Sequence, residues 1–296
     1  MSAIGSGQEE LTAVGDLRRC PKEMSTDSPI VILAPRMTDD SKSVWRTCIE
    51  LGWTPERMQG WRVPDHLSAT DRRVMIYGEP LFAEAVCDQI GLVLLEPPID
   101  WLTTIPIEYL SREVTLTTLA EARQMQERAF VKPADGKIFD PKVYASGAEL
   151  PTDDHVDADI GVLRSGVVDF RVEVRCFVRG RSIVTKSPYW RDDELASDAN
   201  GSWPFQDSEE QEALEFARTV LDDDRVVIPP ACTLDVGRLS DGSWAIIEAN
   251  PAWGAGLYGC DPKEVLLSIG DAIMPRDLVT EADKRWISKR RHAIHQ

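Results

Sequence analysis

The sequence predicts an α/β protein, with a small parallel α/β lobe followed by mixed α+β regions. Three observations lead to this prediction. In the first third of the chain, short apolar runs typical of buried strands alternate with segments of helical spacing. Further on, apolar and charged residues alternate one by one, as they do in half-buried antiparallel strands. Near the C-terminal end, an Asp-Gly pair between two apolar runs indicates a β-hairpin. The length of 296 residues leaves room for about two domains.

Four segments are expected along the chain. Residues 1–28 are polar and lack periodicity, so we predict a disordered extension. Residues 29–108 should form the N-terminal α/β lobe, and residues 109–275 the mixed domain. Residues 276–296 are rich in Lys and Arg and should form a basic C-terminal helix or tail.

The N-terminal lobe contains three predicted strands and two predicted helices. Apolar runs predict the strands, and apolar residues three to four apart predict the helices. In chain order these elements are strand Ile30–Ala34, helix Ser43–Gly52, strand Val74–Tyr77, helix Leu81–Ile90 and strand Leu92–Glu96. Because strands alternate with helices, we expect all three strands in one parallel sheet.

The mixed region opens with a helix and a strand that ends in a lysine. Thr118-Leu-Ala-Glu121 is a capping box and predicts a helix toward Gln126. Ala129–Pro133 then reads as a strand entering a turn. Lys132 at its end is costly to bury without an anion, and phosphate is a candidate partner. The alternative is a lysine whose ammonium simply reaches solvent. Lys137, in the following loop, is a weaker candidate.

A strand from Asp169 to Val178 has one apolar face and one charged face. If Arg179-Gly180 form the turn, Glu173 lies opposite Lys186 and Arg175 lies opposite Val184. Arg175 then lacks an acidic partner on that side and could bind phosphate oxygens with its planar fork. The alternative is a ladder of alternating charges that satisfies itself across neighbouring strands.

The hairpin of residues 233–251 gathers three metal-type ligands. A two-residue turn at Asp241-Gly242 pairs Ser240 with Ser243, and outward counting places Asp235 opposite Glu248 and Val236 opposite Ile247. Asn250 shares the face of the two acids. Facing carboxylates repel unless a cation lies between them, and these oxygen ligands suit Mg²⁺. The alternative is a solvated acidic face.

Composition excludes several classes of protein. A net charge of −17, from 33 basic and 50 acidic residues, argues against a surface that binds the nucleic-acid backbone. Six scattered cysteines without a Cys-x-x-Cys pair indicate reduced thiols. Neither a signal peptide nor a membrane-spanning run is evident, so a cytoplasmic protein is expected. No Walker loop, Gly-x-Gly-x-x-Gly loop or histidine-based triad is present.

Three stretches together resemble the ATP-grasp superfamily. They are a strand with a lysine, Phe130-Val-Lys132-Pro, a connecting strand from Val162 through Val-Asp-Phe-Arg-Val-Glu-Val-Arg175, and a hairpin ending in Ile247-Glu-Ala-Asn-Pro251. With Arg112, the pattern is similar to the clade of this superfamily marked by two arginines and one lysine. The resemblance covers about residues 30–275. It implies an ATP-grasp fold, in which two mixed subdomains hold ATP between antiparallel sheets, and it makes residues 109–275 the ATP-grasp domain.

The resemblance also implies the site. Lys132 and Arg175 would be catalytic, with Arg175 on the transferred phosphate or the substrate. Asp235, Glu248 and Asn250 would bind two Mg²⁺ ions, with Mn²⁺ as an alternative. Lys132 and Arg112 would also bind the nucleotide phosphates, with Lys137 as a further phosphate candidate. The other nucleotide-binding residues would be the backbone of Arg164, Ser165 and Gly166 for adenine, Asp169 or Glu173 for ribose or for orienting Arg175, and Lys186. Substrate is expected near Arg175, Lys186, Tyr189 and Arg191.

The implied activity is an ATP- and Mg²⁺-dependent ligase that forms an amide or peptide bond through an acylphosphate. Its partners would be small-molecule or peptide carboxylates and amines, with neither nucleic acid nor membrane, and a homodimer is left open. Two alternatives use the same site. One is a phosphotransferase, and the other is an inactive ATP-binding regulatory protein.

Overall fold

The computed structural model describes residues 28–136, 138–152 and 156–289. The strands are β1 (Ile30–Leu33), β2 (Thr54–Arg57), β3 (Val74–Tyr77), β4 (Leu92–Leu94), β5 (Val114–Thr118), β6 (Ala129–Pro133), β7 (Lys142–Tyr144), β8 (Gly161–Ser165), β9 (Phe170–Arg179), β10 (Ser182–Arg191), β11 (Glu194–Leu195), β12 (Ala231–Leu239), β13 (Trp244–Pro251) and β14 (Ile273–Pro275). The helices are α1 (Asp39–Glu50), α2 (Asp65–Ser68), α3 (Pro80–Ile90), α4 (Ile107–Leu110), α5 (Leu119–Ala122), α6 (Glu209–Asp222) and α7 (Pro262–Asp271).

The N-terminal sheet is parallel, with the strand order β2-β1-β3. The predicted strands β1 and β3 are both in it, whereas β2 was not predicted. The sequence of β2, Thr-Pro-Glu-Arg, has no apolar run, and its proline is tolerated because the strand lies at the edge of the sheet. The prediction for β4 was wrong in its partner, because β4 pairs antiparallel with β14 from the far end of the chain. Sequence periodicity carries no information about such a distant partner.

Helix α1 begins at Asp39, before the predicted Ser43. Thr38 caps it, since the Thr38 hydroxyl accepts a hydrogen bond from the Ser41 amide at 3.1 Å. Helices α1, α3 and α7 pack with the parallel sheet in one apolar core, in which Val31, Ile32 and Leu33 are fully buried. The N-terminal lobe and the C-terminal helix α7 therefore share a core.

A four-stranded antiparallel sheet follows, with the order β5-β8-β6-β7. Strand β6 has the predicted bounds. The capping box is present, but α5 ends at Ala122 and does not reach Gln126. The chain turns there because the backbone of Gly147 packs directly against it: the Gly147 amide donates to the Met125 carbonyl at 2.9 Å. The predicted continuous strand from Val162 to Arg175 is interrupted, and its two parts, β8 and β9, belong to different sheets.

The second antiparallel sheet has five strands in the order β11-β10-β9-β12-β13. The predicted turn between β9 and β10 was wrong by one residue. Gly180 and Arg181 both have positive φ, at 50° and 68°, and Arg179 pairs with Ser182. This register, together with irregularities along β10, places Ser187 opposite Arg175 and Cys176 opposite Lys186. The predicted pairings of Glu173 with Lys186 and of Arg175 with Val184 do not occur.

The ends of the chain are only partly described. Trp286, in the predicted basic tail, is 7% exposed and packs into the core under the five-stranded sheet. Residues 290–296 of that tail and residues 1–27 of the predicted extension lie outside the described residues. The division into a lobe of residues 29–108 and a domain of residues 109–275 stays a prediction. Within the described part of the chain, no helix is long and apolar enough to cross a membrane.

Candidate active site

The hairpin of β12 and β13 has a longer loop than the sequence predicted. The Leu239 amide donates to the Ser243 carbonyl at 2.7 Å, and the Gly242 amide donates to the Leu239 carbonyl at 2.9 Å. The loop therefore holds Ser240, Asp241 and Gly242, with Gly242 at φ +89°. This is the three-residue hairpin loop, which ends in a left-handed residue, and not the predicted two-residue turn.

A β-bulge restores the predicted pairing of the two acids. Val236 pairs with Ile246, so the predicted pair with Ile247 was wrong, and the register then shifts so that Asp235 lies opposite Glu248 as predicted. Ile247 is the extra residue on β13. The longer loop and the bulge each shift the register by one residue in opposite directions, and the two shifts cancel at Asp235.

Arg112 lies against this bulge. Its guanidinium donates to the carbonyls of Ile246 at 2.9 Å, Ile247 at 3.2 Å and Leu110 at 2.9 Å, and it stacks over the Phe170 ring. Burial lowers its pKa to about 10, against the opposing effect of the nearby Glu248 carboxylate. The guanidinium is thus occupied by backbone carbonyls, which does not favour the predicted role of Arg112 as a phosphate ligand.

The three predicted metal ligands are in mutual contact. The Asn250 side-chain amide donates to Glu248 at 2.8 Å and approaches Asp235 at 3.3 Å. The Asp235 side chain is 0% exposed and that of Glu248 is 29% exposed. Asp235 is therefore part of the floor of the site, while Glu248 and Asn250 reach its open side.

Arg175 has the acidic partner that the sequence analysis did not find. Asp235 lies opposite Arg175 on β12, the neighbouring strand on the other side of β9. The guanidinium donates through Nε at 2.9 Å and through Nη2 at 2.6 Å to the two Asp235 oxygens, and through Nη1 to the Gly256 carbonyl at 3.0 Å. Burial opposes the charge on Arg175, but the Asp235 carboxylate outweighs it and raises the pKa of Arg175. Burial raises the pKa of Asp235, and the charge and hydrogen bonds of Arg175 oppose this effect. The contact is bidentate, with two N–H groups of one guanidinium on the two oxygens of one carboxylate.

Lys132 connects the two antiparallel sheets. From β6 of the four-stranded sheet, its ammonium donates to Glu248 on β13 at 2.5 Å. Burial would raise the pKa of Glu248, but the Lys132 charge and the Asn250 hydrogen bond lower it to about 2. The arrangement joins two cations, two carboxylates and one amide in a single cluster at the junction of the sheets, which we call the charged cluster: Lys132, Arg175, Asp235, Glu248 and Asn250.

Several predicted residues lie outside this cluster. Lys186 lies opposite Cys176 on β9, and Cys176 faces the core beneath α6. The Lys186 ammonium contacts Glu210 of α6 at 2.7 Å. The Lys186 side chain is therefore on the opposite face of the sheet from Arg175. The Arg164 side chain pairs with Glu127, and Asp169 pairs with Arg171 at 3.1 Å.

The other predicted site residues are the segment proposed for adenine, Arg191 and the loop residue Lys137. The Ser165 hydroxyl donates to the Gly166 carbonyl, at the end of β8. Arg191 forms an ion pair with Glu209 and is not among the contacts of the charged cluster. Lys137 lies outside the described residues.

The structure adds residues that the sequence analysis did not assign. The Tyr258 ring stacks on Tyr189 at 5.0 Å, and the Arg175 guanidinium lies 5.0 Å from the centre of the Tyr258 ring. Asp40, in the first turn of α1, accepts the Leu257 amide at 3.1 Å and so connects the N-terminal lobe to this loop. Tyr258 has φ +49°, which is unusual for a residue other than glycine. The sequence offers only a weak signal for this loop, namely the three glycines near Tyr258.

The donor atoms of the charged cluster fit Mg²⁺. Mg²⁺ takes oxygen ligands and usually binds one or two carboxylates together with substrate phosphates and water. Asp235 and Glu248 supply two carboxylates, and Asn250 can turn its amide to supply a carbonyl oxygen. Among the described residues no group of three or more His, Cys, Asp or Glu side chains is arranged to hold a metal ion. Any cation here would thus need further oxygens from phosphates or water.

Comparison with known proteins gives one family and a shared architecture. A family model matches residues 109–267, and its description is an ATP-grasp domain, family 2 of the clade named for two arginines and one lysine. No curated protein matches the sequence. The structure is similar to that of D-cycloserine synthetase DcsG, with a TM-score of 0.51 and 17% sequence identity, covering 82% of this chain and 99% of that chain.

Two further solved structures are similar at the level of fold. The D-alanine–D-alanine ligase from Bacillus anthracis has a TM-score of 0.52 and 11% identity, covering 83% of this chain and 97% of that chain. The N5-carboxyaminoimidazole synthase from Aspergillus clavatus has a TM-score of 0.51 and 10% identity, covering 84% of this chain and 78% of that chain. At these identities the likeness establishes the fold.

Proposed function

The chain belongs to the second ATP-grasp domain family of the two-arginine, one-lysine clade, and from this membership we propose that it is an ATP- and Mg²⁺-dependent ligase joining a carboxylate to an amine. One observation carries the proposal: the charged cluster combines two carboxylates and an amide with two cations at the junction of two antiparallel sheets. Opposite charges in this arrangement suit a metal–triphosphate, since the carboxylates hold the metal and the cations hold phosphate oxygens.

Each residue of the cluster has a proposed role. Asp235, Glu248 and Asn250 would hold Mg²⁺, which supplies neutralisation of charge on the phosphates. Lys132 carries three N–H donors and uses one on Glu248, so it can bind a phosphate oxygen with another. Arg175 is held by Asp235 and the Gly256 carbonyl, so its remaining N–H groups point from a fixed position. A fixed guanidinium stabilises charge that develops during phosphoryl transfer.

The proposed chemistry needs no protein nucleophile. A substrate carboxylate oxygen attacks the γ-phosphorus of ATP, the bond to the β-phosphate oxygen breaks, and ADP leaves with an acylphosphate formed on the substrate. The amine nitrogen then attacks the acyl carbon, and inorganic phosphate leaves with the bonding electrons as the amine loses a proton. We place adenine along the backbone of residues 164–166 at the end of β8.

The test is a screen of ADP release over pairs of carboxylates and amines, with mass analysis of the product. A ligase yields inorganic phosphate and an amide. A phosphorylated compound would indicate the phosphotransferase alternative, and absence of ADP release with every pair would favour the regulatory alternative.

A matched pair of variants tests the cluster itself. Glu248→Gln removes a carboxylate that pairs with Lys132, and Glu210→Gln removes one that pairs with Lys186 on the other face of the sheet. We expect Glu248→Gln to abolish Mg²⁺-dependent ADP release and Glu210→Gln to retain it. Wild-type turnover in Glu248→Gln would refute the assignment of the metal site.

A further inference from the structure

Glu173 is a carboxylate beside the charged cluster that the proposed function leaves without a role. It lies on β9 two residues before Arg175, so the two side chains share a face of the sheet. Lys132 is paired with Glu248, and Arg175 is paired with Asp235. In the part of the chain that the structure describes, no cation forms an ion pair with Glu173, and the Tyr189 hydroxyl donates a hydrogen bond to its carboxylate. A half-buried carboxylate with a neutral partner leaves a place for a cation.

Aromatic rings form a wall next to this carboxylate. Tyr189, the hydrogen-bond partner of Glu173, stacks on Tyr258 with ring centres 5.0 Å apart, and Trp203 meets Tyr258 edge-on at 5.4 Å. All three rings are half-buried, so part of each ring surface faces solvent. The face of an aromatic ring attracts a cation, most strongly where water is scarce. The Arg175 guanidinium already lies 5.3 Å from the centre of the Tyr189 ring and 5.0 Å from that of Tyr258, so an arriving ammonium would use the ring surface that Arg175 leaves uncovered.

The wall is held in place from two directions. Trp203 comes from the segment between β11 and α6, and an ion pair between Arg191 and Glu209 fixes the base of that segment at 2.6 Å, with side chains only 13% and 7% exposed. Tyr258 follows β13 in a left-handed conformation, at φ +49°. A non-glycine residue in that conformation is uncommon, and it persists because the surrounding contacts fix it.

We propose that Glu173 and the rings of Tyr189, Tyr258 and Trp203 form a subsite for the ammonium group of the amine substrate. This inference rests on the proposed function, because it names the class of amine for the same site. The subsite adjoins Arg175, where the acylphosphate would lie. The bound ammonium would first pass a proton to the Glu173 carboxylate, and the free amine is then next to the carbon that it attacks. It selects amines that are protonated at neutral pH, such as amino acids and alkylamines, over uncharged nucleophiles.

The electrostatics agree with a cation as the missing partner. Burial raises the pKa of Glu173 to about 7, and the nearby Asp235 and Glu248 carboxylates add to this effect, against the hydrogen bond from Tyr189 and the charge of Arg175. A carboxylate in this environment gains more from an arriving positive charge than an exposed one does.

The first experiment measures binding and needs no turnover. Saturation-transfer-difference NMR on the full chain uses propylammonium chloride as the probe and propionamide, its uncharged counterpart, as the control ligand. We expect a signal for propylammonium alone, reduced at least fivefold in Glu173→Gln and in Tyr258→Leu, and of wild-type size in Glu210→Gln. The subsite is refuted if wild type gives no signal, or if Glu173→Gln gives the same signal as wild type.

The second experiment separates the two half-reactions. Hydroxylamine is uncharged at neutral pH and captures an acylphosphate as a hydroxamate, so it does not need an ammonium subsite. We expect Glu173→Gln to lower kcat/KM for an ammonium-bearing amine at least tenfold more than it lowers hydroxamate formation from the same carboxylate. An equal loss of both would show that Glu173 serves the ATP half-reaction and would overturn the inference.

The two experiments also distinguish this inference from the proposed function. If wild type forms no hydroxamate with any carboxylate of the screen, the ligase proposal fails. The binding experiment then decides the ammonium subsite by itself.

Discussion

Removing Arg175 should destabilise the protein more than removing Arg175 and Asp235 together. Arg175 is 8% exposed and Asp235 is 0% exposed, and the two share a bidentate ion pair. Arg175→Met leaves the Asp235 carboxylate buried without its counter-charge. The double variant Arg175→Met with Asp235→Leu leaves neither charge and fills the same volume with apolar atoms.

The magnitude follows from this burial. Stranding one partner of a buried ion pair costs roughly 3–5 kcal/mol, whereas replacing both partners with apolar residues is often close to neutral. Arg175→Met also loses the hydrogen bond to the Gly256 carbonyl, but the double variant loses it too, so it cancels in the comparison. At roughly 2–4 °C of Tm per kcal/mol, the single variant should melt about 6–20 °C below wild type.

The assay is a double-mutant cycle on the free energy of unfolding, measured in urea with Arg175→Met, Asp235→Leu and the double variant. We expect a coupling energy of at least about 2 kcal/mol between the two sites. If the single variants lose less than about 1 kcal/mol, or if the double variant loses the sum of the two, the pair does not hold the floor of the site as described. The same burial makes Glu248→Gln a cleaner probe of metal binding than a change at Asp235.

Three further predictions follow from other contacts. Arg112→Ala removes the side-chain donor from three backbone carbonyls near the β13 bulge. We expect it to raise the Mg²⁺ concentration needed for half-maximal ADP release by a larger factor than it raises the KM for ATP. Glu173 has a pKa raised from 4.5 to about 7, so its protonated form contributes stability that is full below about pH 4.5 and is lost as the pH rises through about 7. Relative to Glu173→Gln, the wild-type free energy of unfolding should fall by on the order of 2 kcal/mol over that range, and parallel pH profiles would contradict it. A Cβ at Gly147 would lie 2.2 Å from the Arg123 carbonyl oxygen, so Gly147→Ala should cost roughly 1–3 kcal/mol in urea unfolding, while Gly60→Ala, with nothing within 4 Å, should cost far less.

Local patterns predicted many elements with good bounds. Strands β3 and β6 have the predicted limits, and the capping box at Thr118 is formed. These features depend on neighbours within a few residues, which the sequence displays directly. Strand β2 escaped prediction because it is short, polar and at an edge.

Register was less predictable than the elements themselves. The sequence predicted that Asp235 lies opposite Glu248, and this pairing is present. The predicted turn is one residue too short, however, and the bulge that offsets this error was not predicted. The predicted turn after β9 is one residue too early in the chain, and the acidic partner of Arg175 lies on β12 and not on β10. A one-residue error reverses the face of every side chain beyond it, so such predictions are fragile.

The sequence by itself determined the family, the fold class and the residues of the metal-type hairpin, because these reside in contiguous motifs and in alternation of apolar and charged residues. Only the tertiary structure decided that Lys132 meets Glu248, that Asp235 holds Arg175, and that Glu173 faces an aromatic wall. Those contacts join residues that are up to 116 positions apart in the chain. Charge pairing at that separation depends on how sheets pack against each other, and no local pattern in the sequence records it.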